Sequence, residues 1–224
     1  KISNSYRLCG IGESYAEEII LHLYGRYPHL NIAPYCAPDK VDYIVSTVDA
    51  YEEELRAFDE EFKEIMKDYY IGDQNTDLAT EIVRLLKEKQ LKIATAESCS
   101  GGLLSSTLVN VSGASSVFLE GIVTYSYESK LNRLNIDVNR LMEFGAVSEE
   151  IAHDMAFNLE KLTGADITVG VTGIAGPGGG TKEKPVGLVY IGVCFKGETV
   201  VEKFIFQGER DKIRERATMN ALNL

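Results

Sequence analysis

Leu91-Lys92-Ile93-Ala94-Thr95-Ala96-Glu97-Ser98-Cys99-Ser100-Gly101-Gly102 changes character twice within a short span. Leu91 to Ala96 is a brief apolar run of the length of a buried strand. Small polar residues and two glycines follow as a tight turn, and a helical pattern resumes at Gly101. The same alternation extends in both directions. Upstream, Thr76 is placed to cap a helix running to about Gln90, with Leu78, Ile82, Leu85 and Leu86 on its inner face. Downstream, Ile122 to Ser126 reads as an apolar strand followed by a short helix around Glu128 to Leu134. Ser148 caps a helix that ends at Gly164 and turns Ile151, Met155, Leu159 and Leu162 inward. Asp166 to Thr172 is a further strand. Val186–Phe195 and Thr199–Phe206 form a hairpin turning at Lys196-Gly197, and an amphipathic helix begins near Arg210. Strands alternating with helices predict a layered α/β domain, and the late hairpin makes its sheet mixed.

The first third has a different texture. Glu13 to Leu23 has helical spacing through Ala16, Ile19, Ile20 and Leu23, and Val41 to Thr47 alternates like a strand. Glu52 to Tyr69 reads as one long helix with a stripe of Leu55, Phe58, Phe62, Ile65 and Met66. Its Glu52-Glu53-Glu54 start suits the positive end of the helix dipole. Gly72-Asp73-Gln74-Asn75 then punctuates the chain. The expected organisation is a small α+β domain over residues 1–72 and a mixed-sheet α/β domain over residues 73–224.

Bulk composition narrows the function. The chain has 224 residues, 45% hydrophobic, and a net charge of −11. Residues 1–72 hold 7 basic against 14 acidic side chains, so binding through a nucleic-acid backbone, which needs clustered Lys and Arg, is not expected. A small phosphate held by local geometry stays open. No apolar run has the length of a membrane span and no signal-peptide pattern opens the chain. A cytoplasmic protein is expected. Cys9, Cys36, Cys99 and Cys194 lack paired spacing, and His22, His29 and His153 form no ligand pattern. Free thiols, no metal and no cofactor are expected. The chain opens on Lys1 rather than Met, which reads as a piece of a longer protein.

Chemistry has three places to sit. At Glu97 to Gly102, backbone N–H groups of a helix start point outward and suit an oxyanion, with Ser98 beside them as a nucleophile. Ordinary capping and turn formation explains the same residues. Cys99 competes as nucleophile, but a thiol normally needs a histidine base, and none lies in a motif here. Lysine can replace histidine if burial lowers its pKa. Tyr125-Ser126-Tyr127-Glu128-Ser129-Lys130 brings one to a strand-to-helix junction, with Tyr125 available as a proton donor. A solvated helix lysine is the alternative. Third, Val171-Thr172-Gly173-Ile174-Ala175-Gly176-Pro177-Gly178-Gly179-Gly180 gives backbone that can approach a ligand closely, or a flexible surface loop. It lacks the ending of a nucleotide P-loop. Arg210 and Arg214 stand where a helix begins and suit a phosphate, or are surface charges.

Together ATAESCSGG, EGIVTYSYESK, GAVSEEIAHDMA, VTGIAGPGGGTKEKPVG and FQGERDKIRERA resemble, in order and spacing, the CinA C-terminal domain over about residues 76–224. That family contains the nicotinamide-nucleotide amidases. The resemblance implies hydrolysis of the carboxamide of nicotinamide mononucleotide to the acid and ammonia, with Ser98 as nucleophile, Lys130 as base and Tyr125 as proton donor. It implies substrate contacts from Cys99, Ser100, Gly101 and Gly102, from Thr172, Gly173, Ile174, Ala175 and Gly176, and from Arg210. Ser100 stands where many members have Thr, a hydroxyl-conserving difference. The RLCGIGES segment near the start resembles the KH-like domain that precedes this one in longer CinA proteins. Gly10-Ile11-Gly12-Glu13 is not the GxxG loop that clamps nucleic acid, so a structural or dimer-forming role is expected, and a homo-oligomer with it. The resemblance also implies an upstream domain similar to molybdopterin-binding proteins.

Overall fold

In the computed structural model, which describes residues 1–37 and 40–224, the chain divides after Glu81 into Lys1–Glu81 with Asn223 and Ile82–Leu222 with Leu224. The first unit runs β1 (Ile2–Cys9), α1 (Glu13–Arg26), β2 (Asn31–Ala37), β3 (Lys40–Thr47), α2 (Glu52–Ile65) and β4 (Tyr70–Gly72). Its sheet has the order β2-β3-β1-β4, with all neighbours antiparallel. Strand residues alternate faces, so Tyr6, Leu8, Val41, Tyr43 and Val45 share one side. Ala16, Ile20 and Leu23 of α1 and Leu55, Phe58 and Phe62 of α2 close over them. This is the expected α+β unit. The expectation of a helix to Tyr69 fails, because α2 stops at Ile65. Met66 is sunk in the core, and the chain turns there so that Tyr69 O can accept from Cys9 N and open the β1–β4 pairing.

From α3 (Leu78–Lys89) the chain continues through β5 (Ile93–Glu97), α4 (Leu103–Val109), β6 (Phe118–Val123), α5 (Tyr127–Leu134), α6 (Val138–Phe144), α7 (Glu149–Thr163), β7 (Ile167–Gly173), β8 (Leu188–Phe195), β9 (Glu198–Ile205) and α8 (Arg210–Asn223). The sheet order is β6-β5-β7-β8-β9. β5 is parallel to both β6 and β7, while β7–β8 and β8–β9 are antiparallel. The mixed sheet and the hairpin at Lys196-Gly197 are as the sequence predicts. Among the described residues no helix is long and apolar enough to cross a membrane.

Several local expectations are corrected. Asp77 rather than Thr76 caps α3, its Oδ2 accepting from the N–H and hydroxyl of Thr80 at 3.0 Å each. Of the expected inner residues of α3, Leu78 and Leu86 are buried, Ile82 is half-buried, and Ala79 and Val83 complete the buried stripe. Leu85 is exposed and, like the buried Leu86, borders an open apolar cavity of about 350 Å³ shared with Leu91, Val193 and Phe195. The strand expected over Ile122–Ser126 starts at Phe118 and ends at Val123, because Ser126 leaves the sheet to cap α5, accepting from Ser129 N. Leu162 is exposed near the end of α7, where Ala152 and Ala156 take the inward positions alongside Ile151, Met155 and Leu159.

Those alanines explain how α7 sits. Gly170 on β7 pairs with Gly192 on β8, and α7 presses onto this bare spot. A Cβ on Gly170 would stand 2.8 Å from Ala152 O and Ala156 N, and one on Gly192 2.5 Å from Ala152 O. The obstacle in both cases is backbone, which cannot step aside as a side chain can. Gly170→Ala and Gly192→Ala are each expected to cost ~1–3 kcal/mol through overpacking, read as a lower urea midpoint at constant slope. Unchanged midpoints would show that α7 is not seated against this pair.

Candidate active site

The parallel part of the sheet determines what meets at its edge. β5 lies between β6 and β7: the chain passes from β5 to β6 on one flank and then crosses to β7 on the other, so the carboxyl ends of the three strands frame a crevice of the kind where open α/β sheets bind ligands. Pairing continues beyond the strands: Thr124 N donates to Glu97 O and Ser98 N to Val171 O, both at 2.8 Å. Ser98, Thr124-Tyr125 and the glycine-rich stretch after Gly173 are thereby held at one rim.

Lys130 lies in the first turns of α5, where Ser126 caps the helix. Its side chain points back beneath that rim and is 0% exposed. Nζ lies 3.0 Å from Ser98 Oγ, donates to Thr124 O at 2.7 Å and stands 3.5 Å from Tyr125 O. A solvated lysine is therefore ruled out. Burial is the largest influence on this amine and brings its pKa from 10.5 down to about 8, against a smaller upward pull from Cys99. Cys99 is itself buried, and burial pushes its thiol up to about 11, so it stays protonated at neutral pH. Of the two candidate nucleophiles, only Ser98 touches a base.

The turn after Ser98 differs from its expected form. Gly101 and Gly102 both take positive φ, 63° and 92°, which lets the chain reverse into α4. The helix start is not open, however. Glu97 is wholly buried, and its Oε2 accepts from Gly102 N at 2.9 Å and Leu104 N at 3.1 Å. Its Oε1 accepts from Ser105 N at 2.8 Å and Ser105 Oγ at 2.6 Å. Gly101 N donates to Ser98 O. Among the described residues, only the amides of Cys99 and Ser100 in this turn lack an oxygen acceptor. The expectation of free donors through Gly102 is corrected: a carboxylate from the preceding strand has taken the helix terminus. Ser100 contributes through its backbone, since its carbonyl accepts from Arg214 Nε and Nη2 at 3.2 and 2.9 Å, while its hydroxyl is buried without a partner.

The remaining predicted residues divide into two groups. Thr172 is buried and donates through Oγ1 to Ala146 O at 2.6 Å. Gly173 lies against Leu188 and Val189, Ile174 exchanges backbone bonds with Leu188 and Gly187, and Ala175 is buried. Gly176 is where the loop meets other candidates. Arg210 Nη1 donates to Gly176 O at 2.7 Å, and its Nη2 donates to Tyr125 Oη at 3.3 Å. The Tyr125 ring is 61% exposed, and its hydroxyl bonds Arg210 rather than Ser98 or Lys130. Arg210 makes no ion pair among the described residues, so its charge is met only by neutral oxygens. The loop is not a loose connector, for Lys184 Nζ donates to Phe144 O and Val147 O, each at 2.7 Å. The sequence reading missed Glu97 and Lys184 as participants. An acidic residue closing an apolar strand just before a glycine turn was the available sign for Glu97. Lys184 had none. Among the described residues no three His, Cys, Asp or Glu side chains converge as a metal site would require.

Residues 75–224 match the CinA C-terminal domain. The chain is 44% identical over 220 residues to a Clostridium acetobutylicum protein named competence-damage inducible protein, covering 96% of this chain and 53% of that one. It is 43% identical over 226 residues to a CinA-like protein of Kosmotoga olearia, covering 99% of this chain and 55% of that one. The chain thus spans about half the length of the curated relatives it matches. Among solved structures it resembles the competence/damage inducible protein CihA of Agrobacterium tumefaciens, with TM-score 0.64 and 38% identity over 65% of this chain and 89% of that one. A CinA superfamily protein of Escherichia coli is similar, with TM-score 0.63 and 31% identity over 65% of this chain and 84% of that one.

An amine that titrates near 8, 3.0 Å from Ser98 Oγ, is expected to make any nucleophilic reactivity of Ser98 pH-dependent. Its labelling by a fluorophosphonate is expected to rise about tenfold per pH unit below pH 8 and to level off above it. A flat profile between pH 6 and 9 would reject Lys130 as the base. Stability carries the same signature. Between pH about 8 and 10.5 the unfolded chain holds a proton that the folded chain has released, so stability rises with pH across that window. At pH 7 the buried ammonium is a cost, and Lys130→Met is expected to raise stability by ~1–3 kcal/mol while abolishing labelling.

Proposed function

The chain belongs to the CinA family, carrying its C-terminal domain over residues 75–224, and we propose that this domain is an amidohydrolase that deamidates nicotinamide mononucleotide. The observation that carries the proposal is the sealed Lys130 amine 3.0 Å from Ser98 Oγ. A neutral amine has two N–H donors and one lone pair. With the donors directed to the Thr124 and Tyr125 carbonyls, the lone pair is left for the Ser98 hydroxyl. Ser98 Oγ attacks the carboxamide carbon while its proton passes to Lys130. The oxyanion meets the amides of Cys99 and Ser100. Collapse of the tetrahedral intermediate breaks the C–N bond, and the proton held on Lys130 leaves with ammonia. Water, deprotonated by the again neutral Lys130, then attacks the acyl-serine and frees the nicotinate product and the Ser98 hydroxyl.

Tyr125 is placed differently from a proton donor to the leaving group: its hydroxyl belongs with Arg210 at the mouth of the crevice. The two together suit the ribose phosphate, because a guanidinium without a carboxylate partner gains most from an incoming dianion.

Ammonia release from nicotinamide mononucleotide, followed by coupled assay, tests the reading. Ser98→Ala is expected to lower the rate by roughly 10³-fold or more, and wild-type activity in that variant rejects the nucleophile. Arg210→Leu is expected to raise KM for nicotinamide mononucleotide about tenfold while leaving KM for nicotinamide riboside, which lacks the phosphate, unaltered. Equal effects on both substrates would place the phosphate elsewhere.

A further inference from the structure

Glu97 is a buried carboxylate without a role in the reaction just described. It makes no ion pair among the described residues, and its bonds run to the first turn of α4 through Gly102 N, Leu104 N, Ser105 N and Ser105 Oγ. The Ser105 hydroxyl lies 2.7 Å from Thr95 Oγ1, which ties the carboxylate back to its own strand. The oxyanion of Glu97 therefore occupies the place that a bound phosphate takes at other helix termini.

Resting on the amidase reading above, we propose that Glu97 is a positioning residue that sets the geometry of the nucleophile turn by ligating the start of α4. Glu97 and Ser98 are adjacent, so a carboxylate anchored to residues 102–105 closes a loop around the five residues Ser98 to Gly102. Among the described residues, every amide of that loop but two has an oxygen acceptor, and those two face the Cys99 sulfur. Ser98 N is held by Val171 O, Gly101 N by Ser98 O and Gly102 N by Glu97, which leaves those of Cys99 and Ser100 for the oxyanion. The Arg214 guanidinium on Ser100 O holds the same peptide unit from its carbonyl side. Charge placement agrees with this arrangement. The helix-start amides absorb the Glu97 charge, and the influences that set the Lys130 pKa are burial and Cys99, with no carboxylate holding a proton on the amine. A second consequence is that the α4 terminus is filled and cannot be the phosphate subsite.

Glu97→Gln keeps the shape but sets an amide N–H₂ against backbone N–H donors, so the clamp is partly lost. Ser105→Ala removes the 2.6 Å hydroxyl bond to Glu97 and the 2.7 Å contact with Thr95 Oγ1, and keeps the three backbone bonds to the carboxylate. On protein shown folded by circular dichroism, Glu97→Gln is expected to lower kcat for nicotinamide mononucleotide about tenfold or more with KM within about twofold. Ser105→Ala is expected to cause a smaller loss of the same kind. The rate of Ser98 labelling by a fluorophosphonate is expected to fall in parallel, and the midpoint of its pH profile to stay near that of Lys130. Rates within about twofold of wild type in both folded variants overturn the proposal, as does a shifted midpoint, which would make Glu97 part of the proton-transfer chemistry. If Glu97→Gln does not fold, the kcat of Ser105→Ala decides. A wild-type protein that labels at Ser98 but releases no ammonia rejects the substrate reading alone, with the labelling rates still testing Glu97. Absence of both in the wild type rejects the amidase reading and this inference together.

Discussion

The Lys130 amine is buried away from bulk solvent beside Ser98, and the rest of the site is organised around that burial. A protonated amine placed there loses its hydration and finds only carbonyl oxygens and one hydroxyl in return, with no carboxylate to hold the charge. The equilibrium therefore moves toward the neutral amine, a base able to take a proton from serine near physiological pH. Sealing the amine requires Thr124 and Tyr125 to turn out of the sheet at that height, Ser126 to start a helix immediately afterwards, and β5 to bring Ser98 alongside. The cap of α5 and the end of β6 thus belong to the same device.

Strand order supplies the second condition. With β6 and β7 on opposite flanks of β5, the groups that follow each strand converge at one edge although they are far apart in the chain. Ser98 N on Val171 O and Thr124 N on Glu97 O extend that convergence past the strands themselves. The Gly170–Gly192 pair lets α7 lie flat on the sheet behind β7. A site of this kind uses the loops for contact and the sheet for precision.

At the mouth of the crevice, charge is handled by a different rule. Arg210 and Arg214 are one helical turn apart on α8, and each donates to a carbonyl of one of the two loops that border the site, Arg210 also reaching the Tyr125 hydroxyl and Arg214 the Asp211 carboxylate. Arg210 holds the glycine-rich loop at Gly176 while retaining a full uncompensated charge. The contrast with Lys130 is physical: a guanidinium keeps its proton in any environment, whereas a buried ammonium gives its proton up.

Local pattern made much of this legible. The apolar strand before the turn (expected over Leu91–Ala96, found over Ile93–Glu97), the paired glycines after it, the Ser148 cap and the Lys196-Gly197 hairpin are short-range backbone preferences, and each appears where the sequence places it or within two residues of it. Ser98 was readable as a candidate, and the order of five motifs identified the family. Those features depend on residues within a few positions of one another. Which face of α3 is buried, where β6 stops, that Glu97 rather than a ligand fills the start of α4, and that the Tyr125 hydroxyl turns to Arg210 were not readable in the same way. They depend on which groups the sheet brings together across 85 residues for Tyr125 and Arg210, or 32 for Ser98 and Lys130. The sequence by itself determined the alternation of strands and helices that marks the α/β domain, without β1, β2, β4 or α6, and supplied a serine and a lysine. Only the tertiary structure decided that the lysine is buried and that two amides are left without an oxygen acceptor, because solvation and hydrogen-bond availability belong to the packed surroundings and not to the residue.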